Sequence, residues 1–84
     1  MLFISFIVFG CGPVGLCAQM CALARGAKMV LGIDHIEARL ALCAKIGSKP
    51  INYEKEKDIY NAVTSRIPGG PDCCIDCVGF SMLI

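Results

Sequence analysis

The sequence has 84 residues, enough for one small domain, and a chain of this size buries only about 60% of the surface its unfolded form exposes. It is 56% hydrophobic and 18% charged, which leaves two explanations: a membrane segment, or a sheet buried on both faces. A net charge of +1 excludes the strongly basic field that nucleic acid or an anionic surface calls for.

Residues 3–9 read Phe-Ile-Ser-Phe-Ile-Val-Phe. They are β-branched and aromatic and run into a glycine, which predicts a buried strand. No charge occurs in residues 1–24, a length that could cross a bilayer. But Gly10, Gly12, Pro13 and Gly15 interrupt that stretch and break a helix rather than build one. The run before them lacks the basic start and cleavage site of a secretory signal. Neither membrane insertion nor secretion is expected, and the sequence reads as cytoplasmic.

Residues 10–15 form a turn, with Pro13 placed where a first helical turn needs no N–H. Residues 14–25 are apolar or small almost all round, with Gln19 the polar exception, and predict a helix stopped at Gly26. Residues 28–33 predict a second apolar strand, followed by Asp34. Residues 36–46 predict a second helix, with Ile36, Leu40, Cys43 and Ile46 at helical spacing and Gly47 as its stop. A short third strand is expected at residues 50–53 and a more polar third helix at 55–67. The run Pro68-Gly69-Gly70-Pro71 ends that helix, and residues 73–78 predict a fourth strand closed by Gly79. Strict β-α alternation implies parallel strands joined by right-handed crossovers.

Gly10-Cys11-Gly12-Pro13-Val14-Gly15 is a G-x-G-x-x-G between a predicted strand and a predicted helix. Asp34 ends the next strand, as a dinucleotide-binding turn requires. Gly10 would make the tight turn, Gly12 would let the backbone approach a pyrophosphate, and Gly15 would let the helix pack close to the first strand. The helix N-terminus offers unpaired N–H groups to phosphate. Asp34 would accept hydrogen bonds from the adenosine ribose and repel a 2′-phosphate, which favours NAD over NADP. The competing explanation is a glycine turn in an unrelated α/β protein.

Seven cysteines, Cys11, Cys17, Cys21, Cys43, Cys73, Cys74 and Cys77, fit no secreted disulfide framework. Six fall inside predicted elements, so they read as reduced thiols acting as small hydrophobes. Cys74 and Cys77 are three apart on a predicted strand. Their side chains would point to opposite faces, which argues against shared metal ligation.

The segment Val8-Phe9-Gly10-Cys11-Gly12-Pro13-Val14-Gly15-Leu16 resembles the first strand and turn of the NAD-binding domain of zinc-type medium-chain alcohol dehydrogenases. Ala22 with Gly26-Ala27, Gly32-Ile33-Asp34, Arg39-Leu40 and Ile51-Asn52-Tyr53 resemble successive blocks of the same domain. Pro68-Gly69-Gly70-Pro71-Asp72 and Ile75-Asp76-Cys77-Val78-Gly79 are similar to its fourth-strand region and, within the family, to glutathione-independent formaldehyde dehydrogenases. The resemblance implies reversible hydride transfer between an alcohol and NAD, giving an aldehyde or ketone, with a zinc ion polarising the substrate oxygen. It implies that Gly10, Gly12, Pro13, Val14, Gly15 and Asp34 bind NAD. Arg39 would also touch the adenosine ribose; otherwise it is a solvated helix charge. The zinc ligands and the nicotinamide-binding half have no counterpart in this sequence, and His35, the single histidine, reads as a surface residue.

The expected fold is therefore α/β: half of a doubly wound Rossmann domain spanning residues 3–80, with a four-stranded parallel sheet in order 3-2-1-4. The fourth strand would expose an apolar edge open to self-association. The expectation is a fragment, or a truncated or relic copy, that binds NAD and lacks catalytic residues. A small alcohol or aldehyde would be a substrate only in a longer form. Two rivals stand beside it. A non-catalytic nucleotide-binding or interaction module would share the fold. A methyltransferase or flavin enzyme fits less well, because Phe9 is not acidic and the later blocks match poorly.

Overall fold

The computed structural model describes residues 4–77. Seven elements alternate along the chain: β1 (Ser5–Phe9), α1 (Pro13–Ala24), β2 (Met29–Asp34), α2 (Glu37–Ile46), β3 (Lys49–Asn52), α3 (Ile59–Arg66) and β4 (Cys73–Asp76). The four strands form one parallel sheet in the expected order β3-β2-β1-β4. β1 is central, with Val8 opposite Gly32 on one side and Ile75 on the other.

Alternation along the strands divides the core into two faces. Ile7, Leu31, Ile33 and Ile51 point to the α3 face, where they pack with Ala62, Val63 and Ile67. Val8 and Val30 point to the other face and pack with Ala22 of α1. A third small cluster, Cys11, Leu40 and Cys43, seats α2 on the same side as α1. Strands covered on both faces need apolar residues at nearly every position, and this accounts for the continuous hydrophobic runs. Among the described residues, no helix is long and apolar enough to cross a membrane.

Left-handed glycines stop the first two helices as expected: Gly26 has φ 83° and Gly47 φ 107°. The third helix differs from its expected span. Asn52 to Lys55 closes a turn through Lys55 N–H and the Asn52 carbonyl. α3 then begins only after Asp58, whose carboxylate accepts the Asn61 N–H at 3.0 Å. β3 sits one residue earlier than expected and β1 begins at Ser5. Residues 78–80, assigned above to the end of the fourth strand and its closure, lie outside the described residues, as does Phe3.

The cysteines also depart from the expectation of small buried hydrophobes. Cys11 and Cys43 are buried and Cys77 is half-buried, but Cys17, Cys21, Cys73 and Cys74 are exposed. α1 presents Val14, Cys17, Met20 and Cys21 outward, because the sheet covers only the side that carries Gly15, Gln19 and Ala22.

Candidate functional site

The site lies at the carboxyl ends of β1 and β2, where the glycine turn leaves the sheet. Its shape follows from contacts that only glycine permits. Gly10 takes φ 103° and its N–H donates to the Ile33 carbonyl at 2.8 Å, so the chain turns while still tied to β2. A Cβ on Gly15 would stand 1.8 Å from the Gly10 carbonyl oxygen. α1 therefore rests directly on the turn, and no side chain fits at Gly15.

Gly12 is different. It caps α1 with φ −72°, a backbone any residue adopts. The atoms nearest a Cβ there would be those of the Arg39 guanidinium, at 3.7 Å, an ordinary contact. Nothing in the fold demands glycine at this position; what glycine provides is an open backbone beside a cation. Pro13 follows at the first helical position and Val14 is exposed. The first-turn N–H groups have no partner within the helix, so the positive end of its dipole faces this opening.

Asp34 ends β2 and is 3% exposed. Its Oδ2 accepts the Cys11 N–H at 2.8 Å, and its Oδ1 accepts the His35 N–H at 2.6 Å. The Ile36 N–H lies at 3.4 Å from Oδ1, and Arg39 Nη1 lies 3.7 Å from Oδ2. Burial pushes this carboxyl up, but the three backbone donors and Arg39 outweigh burial and hold it below its ordinary value. The acid thus clamps the glycine turn to the second strand. An ionised carboxylate has about four acceptor directions; three take backbone N–H groups, which leaves one, at Oδ2 on the side of Arg39. The sequence pattern identified the acid but not this structural role.

Arg39, on the first turn of α2, is about half-exposed and leans over both Gly12 and Asp34. His35 is a surface side chain, as expected, but not a solitary one. Its Nδ1 lies 2.8 Å from the Tyr53 hydroxyl and 3.3 Å from Asp34 Oδ1, and the two rings stand 5.2 Å apart. Behind them, Glu37 pairs with Lys55 at 2.9 Å and accepts the Asn52 amide at 2.8 Å. The structure thus brings Gly10, Gly12, Pro13, Val14, Gly15, Asp34 and Arg39 to one end of the sheet and adds Tyr53 to them. Tyr53 could not be found by motif, because its approach depends on β3 lying beside β2.

Under the turn lies a cluster that sequence reasoning missed. Gln19 is fully buried, and its Nε2 donates to Cys11 Sγ at 3.5 Å. Cys43 reaches the same place from α2. All three meet above Gly32, where a Cβ would stand 2.7 Å from Cys43 Sγ, 2.9 Å from Gln19 Oε1 and 3.0 Å from Cys11 Sγ. A glutamine among apolar helix residues gives no signal of burial; only the missing side chain at Gly32 makes room for it.

Comparison with known proteins agrees with this geometry. The family model described as zinc-binding dehydrogenase matches residues 13–83. A medium chain reductase/dehydrogenase (ucsI) of Acremonium sp is 40% identical over 75 residues, covering 87% of this chain and 26% of that protein. Zinc-type alcohol dehydrogenase B of Aspergillus flavus is 35% identical over 79 residues, covering 92% of this chain and 18% of that protein. Among solved structures, the alcohol dehydrogenase TADH from Thermus sp. ATN1 superposes with TM-score 0.85 at 40% identity, over 95% of this chain and 23% of that one. The chain thus spans about a fifth to a quarter of the length of these relatives. With its parallel 3-2-1-4 sheet, its glycine turn and these matches over most of its length, the chain belongs to the zinc-binding dehydrogenase family.

Proposed function

We propose that this chain is the NAD-binding segment of a zinc-type alcohol dehydrogenase-like oxidoreductase. The observation that carries the reading is Gly12: its backbone would tolerate a side chain, yet glycine leaves the turn open beneath Arg39. That opening suits a pyrophosphate, held by the N–H groups of Val14 and Gly15 at the start of α1. Asp34, with one acceptor direction left, would take an adenosine ribose hydroxyl and disfavour a 2′-phosphate. Arg39 would donate to the same ribose.

NAD supplies the hydride acceptor in such a reaction. This chain's own part is to bind and orient the adenosine and pyrophosphate. Zinc does not fit the residues present: among the described residues, no three of His, Cys, Asp and Glu converge to hold a metal ion. Polarising an alcohol or aldehyde oxygen would therefore fall to residues beyond these, and the chain alone would not turn over substrate.

The test is a calorimetric titration of the chain and its Gly12→Val variant with NAD and NADP. Gly12→Val should keep the helical and sheet signal of the parent and lose NAD affinity at least tenfold, about 1.4 kcal/mol. Asp34→Ala should weaken NAD and narrow the preference over NADP. Equal NAD binding by parent and Gly12→Val would overturn the assignment of the pyrophosphate site.

A further inference from the structure

Cys11 and Cys43 are the only described cysteines that are fully buried, and they come from different elements to one point. Cys11 is the middle residue of the glycine turn, and Cys43 lies on the inner face of α2. Both sulfurs stand within 3.0 Å of the Cβ position that Gly32 leaves empty. The two thiols therefore share one small space above Gly32. Beside them the Gln19 side chain is wholly buried, and its Oε1 has no partner.

Gln19 Nε2 donates to Cys11 Sγ at 3.5 Å. The hydrogen bond with Cys43 pushes the Cys11 thiol up, and burial adds to this. The same bond from Cys11 holds Cys43 below its ordinary value despite burial. Cys43 is thus the better thiolate, and Cys11 keeps a proton.

We propose that Cys11 and Cys43 form a redox-active pair that a small peroxide joins in a disulfide beneath the dinucleotide-binding turn. The Cys43 thiolate attacks one peroxide oxygen and breaks the O–O bond. It becomes a sulfenic acid, and the released hydroxide takes a proton and leaves as water. Cys11 sulfur then attacks the sulfenic sulfur. The S–S bond forms, the S–O bond breaks, and the departing hydroxide leaves as a second water with the Cys11 proton. Two thiols are oxidised and one peroxide is reduced. Peroxide reaches the buried pair through local opening of the glycine turn.

The experiment compares the folded chain with the same chain in urea. Each is treated with hydrogen peroxide, and the remaining thiols are blocked with iodoacetamide after denaturation. Trypsin separates Cys11, on segment 1–25, from Cys43, on segment 40–45. Because Cys17 and Cys21 share the first segment, the measurement uses a Cys17→Ser, Cys21→Ser variant, both positions being exposed. The expected product joins segment 1–25 to segment 40–45, with a mass lower by two hydrogens than the sum of the reduced segments. It should exceed every other pairing in the folded chain, lose that dominance in urea and revert with dithiothreitol. Recovery of segment 40–45 with its thiol blocked, at a peroxide dose that oxidises Cys73 and Cys74, would overturn the proposal. So would the same pattern of pairings with and without urea.

Discussion

Strand β2, inside the sheet, and strand β4, at its edge, are built to different standards. At β2, every position from Val30 to Asp34 is buried, and the strand is paired on both sides and covered on both faces. At β4, Cys73, Cys74 and Asp76 are exposed and only Ile75 is half-buried. A shallow apolar groove runs between β4 and α1, lined by Phe6, Ala18, Cys21, Ala22, Arg25 and Ile75. Asp34 ends the well-covered strand β2, and the glycine turn and Arg39 sit against it. The candidate site therefore rests on the strand that is covered on both faces, the rigid support that a binding constellation demands.

The comparison would break most visibly at Gly15. An alanine there places a methyl group 1.8 Å from the Gly10 carbonyl oxygen, a backbone atom, and the methyl has no rotamer that relieves the clash. The expected cost is at least about 3 kcal/mol, a large share of the stability of so small a domain. Gly15→Ala should lose its cooperative thermal transition by circular dichroism. A midpoint equal to that of the parent would show that α1 does not bear on the turn.

Paired truncations sharpen the contrast between β3 and β4, the two edge strands. Ile51 is 0% exposed and lies within the α3-face cluster, so Ile51→Ala should cost about 3 kcal/mol in urea unfolding. Ile75 is half-buried beside the open groove, and Ile75→Ala should cost about 1 kcal/mol. Similar values for the two would mean that β4 is as well covered as β3.

Asp34 gives the next largest effect and a distinctive pH dependence. Asp34→Asn turns an acceptor that faces backbone N–H groups into a partial donor, at an expected cost of about 2 kcal/mol near neutral pH. The folded state holds this carboxyl below its ordinary value of 3.8. Its stabilisation is therefore complete above that value and is lost as the pH falls through the lower, folded one. The gap between parent and variant, measured by urea unfolding at a series of pH values, should be constant at mildly acidic pH and close in strong acid. A gap that persists unchanged into strong acid would mean that the charge of Asp34 contributes nothing.

Much of this was legible in the sequence because local chemistry and tertiary need coincide. A glycine turn after a β-branched run, and an acid at the end of the next strand, are local features of the chain, so element order, topology and the meeting of the turn with Asp34 could be read. What could not be read depends on contacts across elements. The burial of Gln19, the meeting of Cys11 with Cys43, and the approach of Tyr53 to His35 all require knowing which strand lies beside which. The outward face of α1 misled in the opposite sense. Its apolar residues predict burial, but the sheet covers only one side of the helix, and Met20 and Val14 stay exposed.

The start of α3 was a local signal read too coarsely, and it supports the smallest of these predictions. Lys55 and Glu56 favour helix by composition, but each N–H donates to the Asn52 carbonyl in a turn. The helix waits for Asp58, whose side chain takes the Asn61 N–H, one of the donors a helix start leaves unpaired. Asp58 is exposed, so little besides the cap changes on substitution. Asp58→Ala should cost about 1 kcal/mol in urea unfolding, whereas Asp58→Asn, which keeps the acceptor oxygen, should cost a few tenths. Equal losses in both would assign the effect to the charge at the helix end rather than to the capping hydrogen bond. Because α3 covers the face opposite the glycine turn, neither substitution should alter NAD affinity; a loss there would show that the two faces of the sheet are coupled.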